Sequence, residues 1–212
     1  MKNTTKLIFE ELFERYPELE VCREDVLKSF NLMRETYVNG GKVLVCGNGG
    51  SAADSEHIVG ELMKNFKKCR RASDELIENL EGCPESLRLS EVLEGNLPAI
   101  SLTSHLSLTT AYSNDKEPSA VFAQQLSGLG VKGDTFIAIS TSGNSLNCVY
   151  ACLVARAKGL NTVAFTGEKE SRLSFLSDVT VKVPQRETFK IQELHLPVYH
   201  ALCAMLEEEF FD

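Results

Sequence analysis

The chain has no long apolar run, no excess of basic residues and no closely paired cysteines, and each absence excludes a class of protein. No stretch approaches the roughly 20 consecutive apolar residues that a membrane-spanning helix needs. Residues 1–11 alternate charged and apolar side chains and lack the apolar core of a signal peptide. Lysine and arginine number 22 against 30 acidic residues, a net charge of -8. Without a basic stripe, nucleic acid and anionic membranes are poor partners.

The seven cysteines also lack the spacing of a metal or disulfide framework. None forms a C-x-x-C pair, and several lie on predicted apolar faces of strands or helices. Cys148 and Cys152 are one helical turn apart, but no nearby histidine completes a metal set. This usage predicts buried, reduced thiols and a cytoplasmic location. The length of 212 residues allows one large domain or two small ones, with ample apolar content for a core.

The stretch from Lys42 to Phe66 organises the rest of the chain. It begins with a short apolar run typical of a buried strand, continues through G-N-G-G at 47–50, and reaches Ser51, which we expect to be the N-cap of a helix. A strand, a glycine turn and a helix start form an anion cradle, because backbone N–H groups and the positive helix end converge there. The alternative is a tight turn without a ligand. The spacing is neither the dinucleotide fingerprint nor the Walker loop, which disfavours NAD and ATP.

A second unit of this kind follows the strand predicted at Thr135 to Ile139. That strand runs into S-T-S-G-N-S at 140–145, whose hydroxyls and backbone donors suit phosphate oxygens, and Ser145 can cap the next helix. Here the alternative is a Ser/Thr turn that satisfies its own backbone. Two such loops, each after a buried strand, favour a ligand.

The remaining pattern predicts the fold. Residues 4–39 are helical in pattern with a break near Pro17, and further strands are expected at 99–103, 162–165 and 178–183. Strands that alternate with helices form a parallel sheet covered on both faces, with ligands at the carboxyl ends of the strands. Residues 67–97 differ in texture and predict a helical surface flap, either a lid or inert decoration.

Two helices carry candidate proton-transfer or metal-binding residues. His57 and Glu61 are four residues apart on one face of the first cradle's helix, and Gln192 and His200 lie on the last helix, predicted over 188–210. Such side chains can bind a divalent metal or pass protons. The alternatives are a solvated pair and a packed helix with ordinary hydrogen bonds. Gln192 and His200 lie about 12 Å apart along a straight helix. Reaching one metal therefore needs a kink at Pro197, or separate roles.

Five segments together resemble the sugar isomerase (SIS) domain family and, within it, the phosphoheptose isomerases: C-G-N-G-G-S-A-A-D-S-E-H-I-V-G-E-L at 46–62, S-N-D at 113–115, I-S-T-S-G-N-S at 139–145, T-G at 166–167, and I-Q-E-L-H-L-P-V-Y-H at 191–200. The resemblance implies one SIS domain over 1–212, with an N-terminal helical segment 1–41 and the insertion 67–97. Its fold is a three-layer α/β sandwich with a mainly parallel five-stranded sheet.

The resemblance also implies a function: aldose–ketose isomerisation of a phosphorylated sugar through an enediol, with sedoheptulose 7-phosphate to D-glycero-D-manno-heptose 7-phosphate as first choice. Glu61 would be the catalytic base and His200 the acid, and one zinc ion per chain would bind His57, Glu61, Gln192 and His200. A homo-oligomer, by preference a tetramer with sites between subunits, is implied. The expected substrate-binding residues are Asn48, Gly49, Gly50, Ser51, Asn114, Asp115, Ser140, Thr141, Ser142, Ser145 and Gln192.

The chain departs from the family pattern at three places. Asn65 stands where an arginine is frequent, Phe189 and Lys190 replace an acid–arginine pair, and 168–171 lacks the usual glycine pair. These departures, together with the unusual insertion, bear on the identity of the sugar more than on the chemistry. Two alternatives stay open: a non-catalytic phosphosugar-binding regulator of the DnaA-initiator-associating type, or an isomerase of another phosphosugar. The presence of all four predicted ligand residues favours an enzyme.

Overall fold

The structure, a computed structural model, describes residues 1–211 and contains a five-stranded sheet in the order β2-β1-β3-β4-β5. Every neighbouring pair of strands is parallel, and Leu44 of β1 pairs with Ile100 on one side and Phe136 on the other. The all-parallel sheet confirms the sequence expectation. Its strands are β1 (Val43–Gly47), β2 (Ala99–Ser101), β3 (Thr135–Ile139), β4 (Asn161–Thr166) and β5 (Val179–Lys182).

The helices follow the strands in alternation, as the pattern predicted. The break near Pro17 is a 3₁₀ helix over Pro17–Cys22, and the sequence pattern predicted neither this helix nor the short helix over Arg172–Leu176. Within residues 1–211, no helix has the length and apolar character needed to cross a membrane. The α-helices are α1 (Asn3–Arg15), α2 (Arg23–Val38), α3 (Gly50–Met63), α4 (Asp74–Asn79), α5 (Ser86–Val92), α6 (Leu106–Asp115), α7 (Val121–Leu129), α8 (Leu146–Ala157), α9 (Arg172–Leu176) and α10 (Thr188–Phe210).

The sheet separates two apolar cores, because successive strand side chains point to opposite faces. Val43 and Val45 of β1 belong to the core beneath α1, α2, α3 and α10, whereas Leu44 and Cys46 belong to the core beneath α7 and α8. Both faces of the sheet are therefore covered, which explains the nearly continuous apolar character of the strands. The three-layer α/β sandwich is confirmed.

Residues 67–97 form an exposed excursion between α3 and β2. Its two helices, α4 and α5, have no buried residues. At its base, Arg71 and Glu94 form an antiparallel bridge, and the Gly95 amide donates to the Arg70 carbonyl at 3.0 Å. Cys69 and Cys83 lie in this excursion and are exposed, so the prediction of buried cysteines holds only for the other five.

A buried ion pair ties the root of this excursion to the core. Arg70 Nε donates to Glu207 Oε1 at 2.7 Å, and both side chains are almost completely buried. Two further nitrogens of Arg70 donate to the carbonyls of Leu62 and Glu61 at 2.7 and 2.8 Å. These bonds satisfy carbonyls in the last turn of α3 that have no partner within the helix. Arg70 therefore fixes the helical turn that carries Glu61.

Candidate functional site

The first predicted loop follows β1 and leads directly into α3. A Cβ at Gly47 would lie 2.3 Å from the Ser51 carbonyl oxygen, so a side chain there would collide with backbone, and Gly49 has a φ of +55°. The prediction that Ser51 is the N-cap is wrong: Gly49 holds that position, and buried Ser51 lies inside the first turn. Glycine is favoured at this position because it adopts a positive φ without steric cost. The amides of Ser51 and Ala52 donate within this turn, to the carbonyls of Asn48 and Gly49.

The second predicted loop follows β3, the strand that pairs with β1. Ser140 is buried and donates to the Ser145 hydroxyl at 3.0 Å. Ser145 is the N-cap residue of α8, but its side chain makes no capping bond. Ser142 is exposed, and its hydroxyl accepts from the Asn144 amide at 3.2 Å. The loop thus satisfies part of its own backbone hydrogen bonding and leaves Ser142 exposed at its surface.

A reciprocal pair of amides joins the two loops. Asn48 Nδ2 donates to Asn147 Oδ1 at 3.0 Å, and Asn147 Nδ2 donates to Asn48 Oδ1 at 2.8 Å. Asn147 lies in the first turn of α8. The two loops at the carboxyl ends of β1 and β3 therefore form one continuous polar edge, where an α/β sheet binds its ligands.

Helix α10 lies beside α3 and contacts it at two levels. The amide of Gln192 lies against the start of α3, since a Cβ at Gly50 would be 2.6 Å from Gln192 Nε2. His200 meets His57, with the two Nε2 atoms 3.4 Å apart. Gly50 and His57 are about 10 Å apart along α3. The last helix runs unbroken through Pro197, so Gln192 faces the first loop while His200 faces the histidine–glutamate pair.

The second level contains a cluster of His57, Glu61 and His200. His57 Nε2 lies 3.1 Å from Glu61 Oε1, and the Glu61 side chain is only 13% exposed. Glu61 Oε2 is buried and accepts no hydrogen bond within residues 1–211, although Lys64 Nζ approaches to 3.7 Å. Burial, and next the charge of His57, lower the pKa of His200, while Glu61 opposes the shift. The cluster therefore offers an under-solvated carboxylate beside an imidazole that favours its neutral form.

This cluster is not a finished metal centre. Across residues 1–211, no group of three or more His, Cys, Asp or Glu side chains is placed to hold a metal ion. Instead, the Nε2 atom of His57 contacts both Glu61 Oε1 and His200 Nε2.

Behind His57, away from Glu61, two further polar side chains form a hydrogen-bonded chain. His57 Nδ1 lies 3.0 Å from the Tyr199 hydroxyl, which donates to Asp54 Oδ1 at 3.2 Å. Burial raises the pKa of Asp54, with partial opposition from Tyr199 and His57. Burial and the adjacent Asp54 carboxylate hold the pKa of Tyr199 well above its usual range.

The remaining predicted residues lie at the end of α6. Asn114 Nδ2 donates to Asp115 Oδ1 at 2.9 Å, and both residues are exposed. Their hydrogen bond is to each other rather than to either loop. Their role in substrate binding stays a prediction.

Two cavities border the site. One, of about 290 Å³, lies against the second loop, where Thr141 and Ser142 share its lining with two cationic and two anionic side chains, Lys169, Arg186, Glu168 and Glu170. Another, of about 220 Å³, opens beside His200 between α10 and α1, where Arg15 and Lys67 line it.

The comparisons with known proteins place this arrangement in a family. The SIS domain family profile matches residues 84–167. The chain is 37% identical over 191 residues to the phosphoheptose isomerase of Aliarcobacter butzleri, an alignment that covers 90% of this chain and 88% of the relative. The chain belongs to the phosphoheptose isomerase family.

Solved structures agree with this assignment. The phosphoheptose isomerase from Neisseria gonorrhoeae matches with a TM-score of 0.74 at 31% identity, covering 94% of this chain and 95% of that one. The phosphoheptose isomerase from Francisella tularensis matches with a TM-score of 0.76 at 28% identity, and the match covers 98% of this chain and 100% of the Francisella chain. The protein is thus an enzyme of the sugar-phosphate isomerase class, which sets aside the non-catalytic regulator.

Sequence reasoning missed four residues that organise the site of this phosphoheptose isomerase family member: Asp54, Arg70, Asn147 and Tyr199. Asp54 and Tyr199 lie inside the recognised segments 46–62 and 191–200, and Asn147 lies two residues after 139–145, but their spacing gives no hint of their partners. Arg70 lies in a segment read as a surface flap, and Tyr199 precedes His200 on a helix whose pattern reads as packing. The contacts described above span from eight to 145 residues of sequence, and no local pattern encodes such pairs.

Proposed function

We propose that the protein interconverts sedoheptulose 7-phosphate and D-glycero-D-manno-heptose 7-phosphate through an enediol. The observation that carries the proposal is Glu61, whose largely buried carboxylate has one oxygen that accepts no hydrogen bond within residues 1–211, beside two imidazoles and on the helix that begins at the first polar loop. The names of the aligned relatives supply the choice of a heptose phosphate. Isomerisation of another phosphosugar is the remaining alternative.

The loops support anchoring of the phosphate group. Backbone amides at 48–50 and the hydroxyl of Ser142 line one edge of the sheet, and α3 and α8 both begin there. Helix starts favour anions, because unpaired N–H groups and the helix dipole converge on them. Lys169 and Arg186 line the adjoining cavity together with Glu168 and Glu170, and Arg186 is ion-paired with Glu168, so this cavity adds no net positive charge. Local dipoles would thus hold the anion on a chain of net charge -8.

Proton transfer follows from the cluster at the second level. In the ketose-to-aldose direction, the base removes a proton from C1 and returns it to C2, while the acid exchanges protons with the two oxygens. Glu61 is proposed as the base, since its unpartnered oxygen can accept a proton at little cost in lost hydrogen bonds. His200 is proposed as the acid. The anchored phosphate keeps the reacting carbons near both groups and lowers the entropic part of the barrier.

A zinc ion fits the donor chemistry of this cluster, although the side chains would have to turn toward a shared centre. Two ligands of a tetrahedral zinc with bonds of about 2.0–2.1 Å are separated by about 3.3–3.4 Å. The separations from His57 Nε2 are 3.1 Å to Glu61 Oε1 and 3.4 Å to His200 Nε2. When bound, zinc would polarise the carbonyl and hydroxyl of the sugar. Gln192 faces Gly50 and fits substrate binding better than the fourth ligand position.

A tetramer with sites between subunits is part of the same proposal. His57 is 43% exposed, and the first loop is exposed at residues 48–50. An enediol intermediate is protected when water is kept from the reacting carbons. A second copy that covers these residues would provide this protection. Sedimentation equilibrium measures the number of chains directly.

The proposal is tested by product analysis with a panel of ketose phosphates of five, six and seven carbons. Mass spectrometry coupled to chromatography should show an aldose product from sedoheptulose 7-phosphate at the highest rate. A higher rate with a hexulose phosphate would transfer the assignment to that sugar. No aldose from any member of the panel would remove the isomerase assignment.

A further inference from the structure

His57 has two ring nitrogens and, when neutral, a single N–H to donate. Its Nδ1 lies 3.0 Å from the Tyr199 hydroxyl, and its Nε2 lies 3.1 Å from Glu61 Oε1. The two contacts compete for that one proton. Which nitrogen carries it decides whether His57 presents a donor or a lone pair to Glu61 and His200.

The answer depends on Tyr199, which has one O–H to give. An ionised carboxylate only accepts hydrogen bonds, so the 3.2 Å contact with Asp54 Oδ1 requires that Tyr199 donates to it. The Tyr199 oxygen must then accept from His57, which places the histidine proton on Nδ1. In the opposite arrangement Tyr199 would donate to His57, and Asp54 Oδ1 would lose its partner.

Burial makes that opposite arrangement costly. Asp54 Oδ2 is already buried without a hydrogen-bond partner within residues 1–211. Tyr199 is 1% exposed, so water cannot replace its bond to Asp54 from the tyrosine side. A buried polar group that loses its partner costs about 1–3 kcal/mol, more when it is charged. The Tyr199 ring also packs edge-on against His57 and His200, with its centre 5.5 and 5.0 Å from theirs, and this packing limits other orientations of the tyrosine.

We propose that Asp54 and Tyr199 are positioning residues that hold the proton of His57 on Nδ1, so that Nε2 presents its lone pair to Glu61 and His200. In the proposed function, this lone pair would prepare His57 to bind the metal ion. Only that interpretation of the inference rests on the proposed function. His57 is 43% exposed, so in the metal-free protein water can donate to Glu61 Oε1 in its place, and the lone pair on His57 Nε2 can accept from His200 Nε2, 3.4 Å away. A bound cation would take the place of that donor. Hydrogen bonds of this kind to the second nitrogen are how proteins fix and orient metal-binding histidines.

The test reads the proton position by nuclear magnetic resonance, without turnover. Protein labelled with ¹⁵N at its four histidines is dialysed against chelator and studied near pH 8, above the ordinary histidine pKa of about 6.5. Two-bond ¹H–¹⁵N correlation distinguishes protonated from unprotonated ring nitrogens, and a His57→Asn variant assigns the His57 signal. His195 is an internal reference of opposite pattern, because its Nε2 lies 3.3 Å from the Thr166 carbonyl and its buried Nδ1 has no partner in the described part of the chain, residues 1–211.

We expect wild-type His57 to be protonated on Nδ1 and Tyr199→Phe to move the proton to Nε2. Tyr37→Phe is the matched control, because the Tyr37 hydroxyl is buried with no hydrogen-bond partner among residues 1–211 and its loss should change nothing at His57. Asp54→Ala is a second variant, expected to move the proton as Tyr199→Phe does. A wild-type His57 protonated on Nε2, or on both nitrogens, overturns the inference, as does an Nδ1 proton that remains in place in both variants.

Zinc affinity provides a second readout. Loss of a hydrogen bond that orients a metal-binding histidine lowers metal affinity by about 10- to 100-fold. Competition with a chromophoric chelator should show that decrease for Tyr199→Phe and no decrease for Tyr37→Phe. Equal affinities in the two variants would overturn the inference. An inactive wild type with the expected proton position would instead reject the proposed function and leave the inference standing.

Discussion

Replacing Glu207 by glutamine is expected to reduce the free energy of unfolding by about 3–5 kcal/mol, the usual cost of breaking a buried ion pair from one side. Glu207 accepts four hydrogen bonds, from Arg70 Nε and from the backbone amides of Phe66, Lys67 and Lys68, at 2.7–3.1 Å. Arg70 is fully buried, so its charge would remain without a counter-ion. Burial acts to raise the pKa of Glu207, but these donors hold it below its ordinary value, which shows how strongly the site favours the charged form.

The glutamine side chain keeps the shape of glutamate and can keep one acceptor oxygen. Its NH₂ group would then face donors, so at least one pair of hydrogen bonds is lost together with the charge. For a chain of this size, each kcal/mol corresponds to about 2–4 °C in the melting temperature. We therefore expect a decrease of about 6–20 °C, measured by circular dichroism and checked by urea unfolding.

The matched control is Glu91→Gln, which removes a glutamate from a solvent-exposed ion pair with Arg88. The two side chains are 56% and 74% exposed, and their closest charged atoms are 3.3 Å apart. An exposed pair contributes about 0–1 kcal/mol, so the melting temperature should change little. If Glu207→Gln were as stable as Glu91→Gln, the buried pair would not anchor the turn that carries Glu61.

Three further predictions concern binding, metal and pH. Ser142→Ala removes the proposed charge-assisted hydrogen bond to the phosphate, worth about 1.5–3 kcal/mol. The KM for the phosphosugar should therefore rise at least about tenfold. An unchanged KM in steady-state assays would make the loop purely structural. Elemental analysis of chelator-free protein should find about one zinc per chain, and full activity after its removal would refute a catalytic metal. Burial acts to raise the pKa of Glu209, but hydrogen bonds from Lys2, Thr5 and Arg34 lower it to about 2. This carboxylate therefore stabilises the fold above the ordinary glutamate pKa of about 4.3. Its contribution is lost as pH falls toward 2, and acid-unfolding curves of Glu209→Gln should lack that part of the decline.

The sequence predicted what local periodicity and loop chemistry determine. Apolar strands such as Val43–Gly47 and the glycines that follow them are enough to predict the parallel sheet and both polar loops. The N-cap was misplaced at Ser51, because serine is a frequent capping residue and only the backbone shows that Gly49, at a positive φ, begins the helix.

The parts that could not be predicted depend on contacts across the fold. Gln192 and His200 share a helix, and only the packing of α10 along α3 shows that one meets the first loop and the other meets His57. Tyr199 lies 145 residues from Asp54, yet their hydrogen bond borders the candidate catalytic cluster. Tertiary packing, not propensity, decides such pairs.

The most direct test of the central claim follows solvent deuterium into the sugar. Wild-type protein and Glu61→Gln are incubated with sedoheptulose 7-phosphate in D₂O, and the products are analysed by nuclear magnetic resonance and mass spectrometry. We predict a mannoheptose 7-phosphate that carries deuterium at C2, formed at least about 100-fold more slowly by Glu61→Gln, the usual contribution of a positioned base. Equal rates for the two proteins would contradict the role of Glu61. If no heptose phosphate gives an aldose product or takes up deuterium, the assignment as a heptose phosphate isomerase is contradicted.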